Sequence, residues 1–266
     1  MRILLTSMLA TSTLVLAACS GEGSETASAS TVAIPSAAPD FASAIAAPGR
    51  DAKDIELDGS RQPAALLSFM GLEYGDKVAD ILAGGGYYSE IMGRVVGPEG
   101  SVTAFNTGTF AKTDDSLKKW KEITARQTNV TGSFVSFPDF SPDEAQFDFA
   151  MLHLVFHDLY WENAKFEYAR IDPDKFLASL YIAMKPGGII AIVDHVGSGS
   201  NTREIVKKLH RIDPAVVKAD MSRAGFVLEA ESNMFANPED DINKLVFDPS
   251  VRGKTNRIVM RFRKPG

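Results

Sequence analysis

Val78-Ala79-Asp80-Ile81-Leu82-Ala83-Gly84-Gly85-Gly86 is the stretch that decides how this chain is read. An apolar run carrying one acid meets three glycines, and the residues that follow set Ile91, Met92 and Val95 on one helical face. That is a strand, a tight turn and a helix in succession. Glycines at such a junction let the backbone turn sharply and let a ligand approach the main chain. The helix that follows presents N–H groups without intrahelical partners.

Working outward, short apolar runs alternate with helical patterns, which predicts a largely parallel sheet covered by helices. Before the glycine turn, a helix is expected over about Gln62 to Met70, with Pro63 in its first turn, and a strand over Lys77 to Leu82. After it come a strand at Ser101 to Phe105 and a polar helix near Asp115 to Ala125. A short strand is expected at Phe134 to Ser136, then a buried strand at Phe147 to Leu152. Asp172-Pro173 caps a helix reaching Met184, and Lys185-Pro186-Gly187-Gly188 leads into a strand at Ile189 to Val193. Asp213-Pro214 starts a helix that ends at Gly225. Phe226 to Ser232 and Arg257 to Phe262 close the pattern as two strands separated by a long loop. A sheet of this kind binds its ligand outside the carboxyl ends of the strands. The positions to inspect therefore follow Leu82, Phe105, Phe137, Leu152 and Val193.

Taken together, these segments resemble class I methyltransferases that use S-adenosylmethionine. Asp80 matches the acidic residue of the family's first motif, and Gly84 and Gly86 match its second and third glycines. Phe147 to Leu152 followed by His153 resembles the fourth strand and its substrate-facing end. Met184-Lys185-Pro186-Gly187-Gly188 resembles the turn before the fifth strand, and Ala224-Gly225-Phe226 the approach to the sixth. More narrowly, residues 50–266 are similar to a group of predicted bacterial exported methyltransferases. The resemblance implies an α/β fold with a Rossmann-like, seven-stranded, mostly parallel sheet, helices on both faces and an antiparallel last strand.

It also implies S-adenosylmethionine as cofactor and a small-molecule methyl acceptor or an envelope component as substrate. The cofactor residues it points to are Asp80, Ala83, Gly84, Gly85, Gly86, Tyr88, Asn106 and His153, with Asp139 after the third strand. Tyr87 and Tyr88 are placed either to flank the sulfonium or to pack under the sheet. Two departures stand out. Leu82 occupies the place of the first glycine, and Asn106 that of the acid that usually holds the ribose hydroxyls. They motivate an alternative, a binding protein that keeps the fold and has lost catalysis.

All four histidines, His153, His157, His195 and His210, lie in the second half. His157, Asp158 and His195 are the candidate catalytic group, a histidine serving as base toward the acceptor. The same rim admits a structural role, or a ligand set of two histidines and a carboxylate; no metal is assigned. Tyr160 and Trp161 are candidate acceptor contacts or cover for the cleft. Neither a G-x-S-x-G elbow nor an H-E-x-x-H helix is present, which disfavours hydrolase and zinc-protease readings.

At the amino terminus, Arg2 precedes an apolar stretch from Ile3 to Leu16, too short for a permanent membrane helix. Leu16-Ala17-Ala18-Cys19 resembles a bacterial lipoprotein signal, and Cys19 is the only cysteine in the chain. The expectation is a signal peptide over residues 1–18, a lipidated Cys19, a disordered tether over 19–49 and a methyltransferase-like domain over 50–266. The chain would then be held at the periplasmic face of the cell envelope by its lipid anchor. Residues 20–49 carry few large apolar side chains, too few to offset the entropy of ordering them. The net charge of −6, with no basic cluster to offset it, argues against nucleic acid as a partner.

Overall fold

A computed structural model describes residues 38–108 and 113–266. The expected signal, Cys19 and most of the expected tether lie outside the described residues. Seven strands form one sheet: β1 (Lys77–Ile81), β2 (Ser101–Asn106), β3 (Val130–Phe134), β4 (Phe147–His153), β5 (Met184–His195), β6 (Val227–Glu231) and β7 (Arg257–Arg263). Their order is β3-β2-β1-β4-β5-β7-β6. The first five run parallel, and β7 is antiparallel to both β5 and β6. This is the expected sheet. The chain reverses its direction of travel across the sheet between β1 and β4, so the crevice above their carboxyl ends is where a ligand belongs.

Eight α-helices cover the sheet among the described residues: α1 (Phe41–Ala46), α2 (Ala52–Arg61), α3 (Pro63–Met70), α4 (Tyr87–Val96), α5 (Asp114–Arg126), α6 (Pro173–Ala183), α7 (Thr202–Leu209) and α8 (Pro214–Arg223). None is long and apolar enough to cross a membrane. Period-two alternation splits the central strands between two cores. Ile190 and Ile192 of β5 join Phe176, Leu177 and Leu180 of α6 and Met221 of α8 on one face. Ile189, Ala191 and Val193 join Leu66, Leu67, Ile91, Met92 and Ile123 on the other.

Local chemistry sets the helix starts. Asp172 accepts hydrogen bonds from the N–H groups of Asp174 and Lys175, with Pro173 opening α6. Asp213 and Pro214 do the same for α8. Both caps match the sequence reading.

Three expectations are corrected. Order begins before Arg50: α1 lies inside the segment expected to be tether, with Ala44 buried and Phe41 and Ile45 packed on the core. Those few apolar residues are enough once α3 and α4 offer them a surface. Second, β3 ends at Phe134, where a strand over Phe134 to Ser136 was expected; Phe137 to Asp139 turns as a 3-10 helix. Third, α2 and α7 were not foreseen. Both are short, largely polar helices with a single buried residue each, Asp54 and Val206, and the apolar face of α7 is made by Ile205, Val206 and Leu209 alone.

Candidate cofactor cleft and histidine cluster

The glycine turn is held by contacts that explain its composition. Leu82 adopts a left-handed backbone, φ 52°, as does Leu154 at the end of β4, φ 61°. Two strained leucines thus flank the cleft at the ends of adjacent strands. Gly84 is tied on both sides: its N–H donates to Asn106 Oδ1 at 2.8 Å, and its carbonyl accepts from Trp120 Nε1 at 2.9 Å. Gly86 has φ 82°, and a Cβ there would lie 2.7 Å from Ile123 Cδ1 and 3.0 Å from the Trp120 ring. Helix α5 presses so closely on this turn that only hydrogen fits.

Above the turn lies a hollow of about 280 Å³ lined by Asp54, Leu57, Arg61, Asp80, Leu82 to Gly85, Tyr87, Tyr88, Lys119, His153 and Leu154. It falls just below the ~300–1,000 Å³ common for small-molecule sites. A second hollow of about 320 Å³ opens at the ends of β2 and β3, lined by Thr107, Gly108, Phe134 to Pro138 and Tyr168.

The floor of the cleft is electrically poised. Asp80 is 3% exposed and accepts a hydrogen bond from Ser89 Oγ at 2.5 Å. Burial raises its pKa to about 7 against that bond and the charge of Arg61. Burial also lowers His153 well below its ordinary value, and the charges of Arg61, Arg257 and His195 push the same way. His153 is therefore a neutral ring. Its Nε2 is buried without a hydrogen-bond partner among the described residues, while its ring leans on Tyr88 at 4.6 Å. Arg61 stacks on Tyr87 at 4.3 Å and has no carboxylate within ion-pair distance among the described residues. Lys119, by contrast, is paired with Asp54 at 2.7 Å. The roof is braced by Arg50, which grips Asp58 with two hydrogen bonds, and Asp58 in turn accepts from the Tyr87 hydroxyl at 2.6 Å.

The other histidines gather beyond the ends of β4 and β5. Asp194, fully buried, accepts from the His157 backbone N–H at 2.8 Å and lies 2.8 Å from His157 Nδ1. Burial alone would lower the pKa of His157, but the charges of Asp194 and Asp158 outweigh it and push it up to about 9. Burial raises Asp158 to about 6, with His157 opposing. His195 is lowered to about 3 by burial and bonds Thr255 Oγ1 at 2.7 Å.

The structure brings Asp80, Ala83, Gly84, Gly85, Tyr88 and His153 together around one cleft, with Gly86 in its turn. Asn106 is corrected. It is 4% exposed and its oxygen serves the Gly84 N–H, so it shapes the turn and is not among the residues that line the hollow. Asp139 is also corrected. Its side chain is 76% exposed, accepts from Ser136 Oγ and lies 3.8 Å from Lys175, away from the cleft. His157, Asp158 and His195 cluster as expected but do not line the hollow at the glycine turn. Tyr160 is spent on Asp220, to which its hydroxyl donates at 2.5 Å. Trp161 is buried against Tyr168 and His210. Sequence reading missed Arg61, Asp54 and Lys119 in the cleft and His210 in the cluster. The available signal was Asp51 ahead of Ile55 and Leu57, an N-cap followed by apolar residues.

Comparison with known proteins agrees on the fold. No family model matches the chain. Among curated proteins, a ubiquinone/menaquinone biosynthesis C-methyltransferase of Psychromonas ingrahamii is 29% identical over 124 residues, 47% of this chain. Those residues are 44% of the relative, so the match spans under half of that protein's length. A SAM-dependent methyltransferase from Aquifex aeolicus superposes with TM-score 0.54 at 20% identity, covering 80% of this chain and 97% of its own. The 1,6-didemethyltoxoflavin-N1-methyltransferase of Burkholderia thailandensis, solved with that substrate and S-adenosylhomocysteine, gives 0.52 at 15% identity over 80% of each chain. The [4+2]-cyclase SpnF gives 0.55 at 14% identity, covering 77% of this chain and 80% of its own. The chain thus has the class I, Rossmann-like methyltransferase fold. A cyclase on the same fold means the reaction must be argued from the site.

Proposed function

We propose that this chain is an S-adenosylmethionine-dependent methyltransferase acting on a small molecule. The observation that carries the reading is the cleft at the β1–β4 reversal, where Asp80, an Arg61 without a carboxylate partner and an orphaned His153 Nε2 converge over a glycine turn. The group that fits is a zwitterion with further hydrogen-bonding atoms. Asp80 suits its ammonium, Arg61 its carboxylate, and the Tyr88 ring a sulfonium. Bound there, S-adenosylmethionine would supply an activated methyl group. The protein's part is to align the acceptor and exclude water, so a dedicated base is not required for rate.

Calorimetric titration of the full chain tests this. S-adenosylmethionine and S-adenosylhomocysteine are expected to bind, with Asp80→Ala weakening both by roughly tenfold or more, about 1.4 kcal/mol. No heat with either ligand would sink the cofactor assignment.

One observation favours a second reading, binding without methyl transfer: Asn106 brings no charge to the end of β2 and its oxygen is already engaged. Demethylated cofactor accumulating in the presence of candidate envelope acceptors would exclude that reading.

We further propose that the protein works at the cell envelope, anchored through Cys19. The support is the sequence alone, a lipoprotein-like signal ending at the single cysteine. Several acyl chains there would hold it far more firmly than one. Incorporation of a labelled fatty acid into the wild type, lost in Cys19→Ser, is the expected result; equal labelling of both would end the proposal.

A further inference from the structure

The histidine cluster has a geometry that a hydrogen-bond network does not require. His157 Nε2 lies 3.3 Å from His210 Nδ1 and 3.4 Å from Asp158 Oδ1, and His210 Nδ1 lies 4.0 Å from the same oxygen. These separations are long for hydrogen bonds, whose N···O distances centre on about 2.9–3.0 Å. One Nε2–H also serves only one partner well. The 3.3 and 3.4 Å separations match the edge of a tetrahedron, since zinc bonds of about 2.0–2.1 Å place neighbouring ligand atoms roughly 3.3–3.4 Å apart; the 4.0 Å separation is longer than that edge. Each of the three residues offers an atom within 4.8 Å of the other two.

Two independent features aim these atoms. The far nitrogen of His157 is clamped by Asp194, which also accepts the His157 backbone N–H. A carboxylate behind the ring is how metal-binding histidines are fixed in tautomer and orientation. His210 is held at φ 50° as the residue that ends α7, a conformation that histidine adopts at a cost. Its ring is flanked by Trp161 at 5.3 Å and Phe247 at 5.2 Å. The side chains of Asp158 and His210 remain 21% and 17% exposed, which leaves an access route.

We infer that His157, Asp158 and His210 bind one divalent transition-metal ion, with zinc the best fit and a fourth position open. Two imidazoles and one carboxylate suit zinc, and three protein ligands with an open position mark a reactive rather than a purely structural site. The inference stands apart from methyl transfer, since its ligands do not line the cofactor cleft.

The test uses the full chain without a histidine tag, stripped with a chelator and titrated with zinc chloride by calorimetry, then with cobalt(II) by visible absorption. One zinc per chain and an intense tetrahedral cobalt spectrum are expected. His210→Asn should weaken zinc binding at least tenfold, because asparagine tolerates the left-handed backbone but offers no imidazole. Asp158→Asn provides a second reading if the first variant melts early. Folded wild type that takes up no stoichiometric zinc would overturn the site. So would equal zinc affinity in the wild type and a folded variant, or a weak six-coordinate cobalt spectrum.

Discussion

Asp80 sits near the carboxyl end of β1, where its carboxylate accepts a hydrogen bond from Ser89 Oγ, and burial raises its pKa from 3.8 to about 7. For an acid, a raised folded value means that the native state binds more protons than the unfolded chain between those two pH values. Stability therefore falls as pH rises from about 4 to about 7. Asp80→Asn removes the titrating group. Denaturant midpoints measured across that window should decline in the wild type and lose this component of the decline in the variant. Parallel profiles would show that Asp80 is not the group responsible. Leu82, two residues on, shows why sequence comparison alone misleads here. Its backbone is left-handed, a conformation that favours glycine, and this chain places a partly buried leucine on it.

At the scale of elements, the approach of α5 to the start of α4 is the tightest constraint on the cleft. Gly86→Ala combines a left-handed backbone with a Cβ driven into Ile123 and Trp120. It should cost about 1–3 kcal/mol or more by chemical denaturation. Gly84→Ala, with nothing within 4 Å of the new atom, should cost only the backbone strain. A Gly86→Ala protein as stable as Gly84→Ala would show that α5 gives way.

What was legible in the sequence follows the same division. Asp172-Pro173, Asp213-Pro214 and the glycine run are local signals whose meaning does not depend on distant partners, and they read correctly. Helices α2 and α7 were not legible because their stability comes from neighbours: Lys119 reaches Asp54, and Arg203 reaches the carbonyls of Tyr160 and Ile171. The cluster was half legible. Strand ends placed His157 and Asp158 near His195, but nothing in the spacing announces that His210 returns to His157 across 53 residues.

For the molecule as a whole, the two cores account for the sheet and its helices, while the stretch between β6 and β7 depends on something else. Residues 232–256 form no regular element, yet Phe235, Val246 and Val251 are buried. Arg211, fully buried, makes a two-bond ion pair with Asp240, equally sealed, and also donates to the carbonyls of Val196 and Lys244. Arg211→Met leaves Asp240 as an uncompensated buried charge, an effect worth about 3–5 kcal/mol. A denaturation midpoint unchanged by the substitution would contradict this account of the anchor.

The Arg211 contact to Lys244 has a consequence for how the folded chain meets a protease. Trypsin needs an extended segment whose scissile carbonyl is free to enter its active site. The Lys244 carbonyl accepts from Arg211 Nε at 2.8 Å, and the following turn is pinned by the buried Val246. The bond after Lys244 is therefore masked in the native protein, although it lies in a stretch without helix or strand. Brief digestion under native conditions should spare it and, once Arg211 is replaced, open it among the first sites, reporting the release of this segment before the sheet itself unfolds.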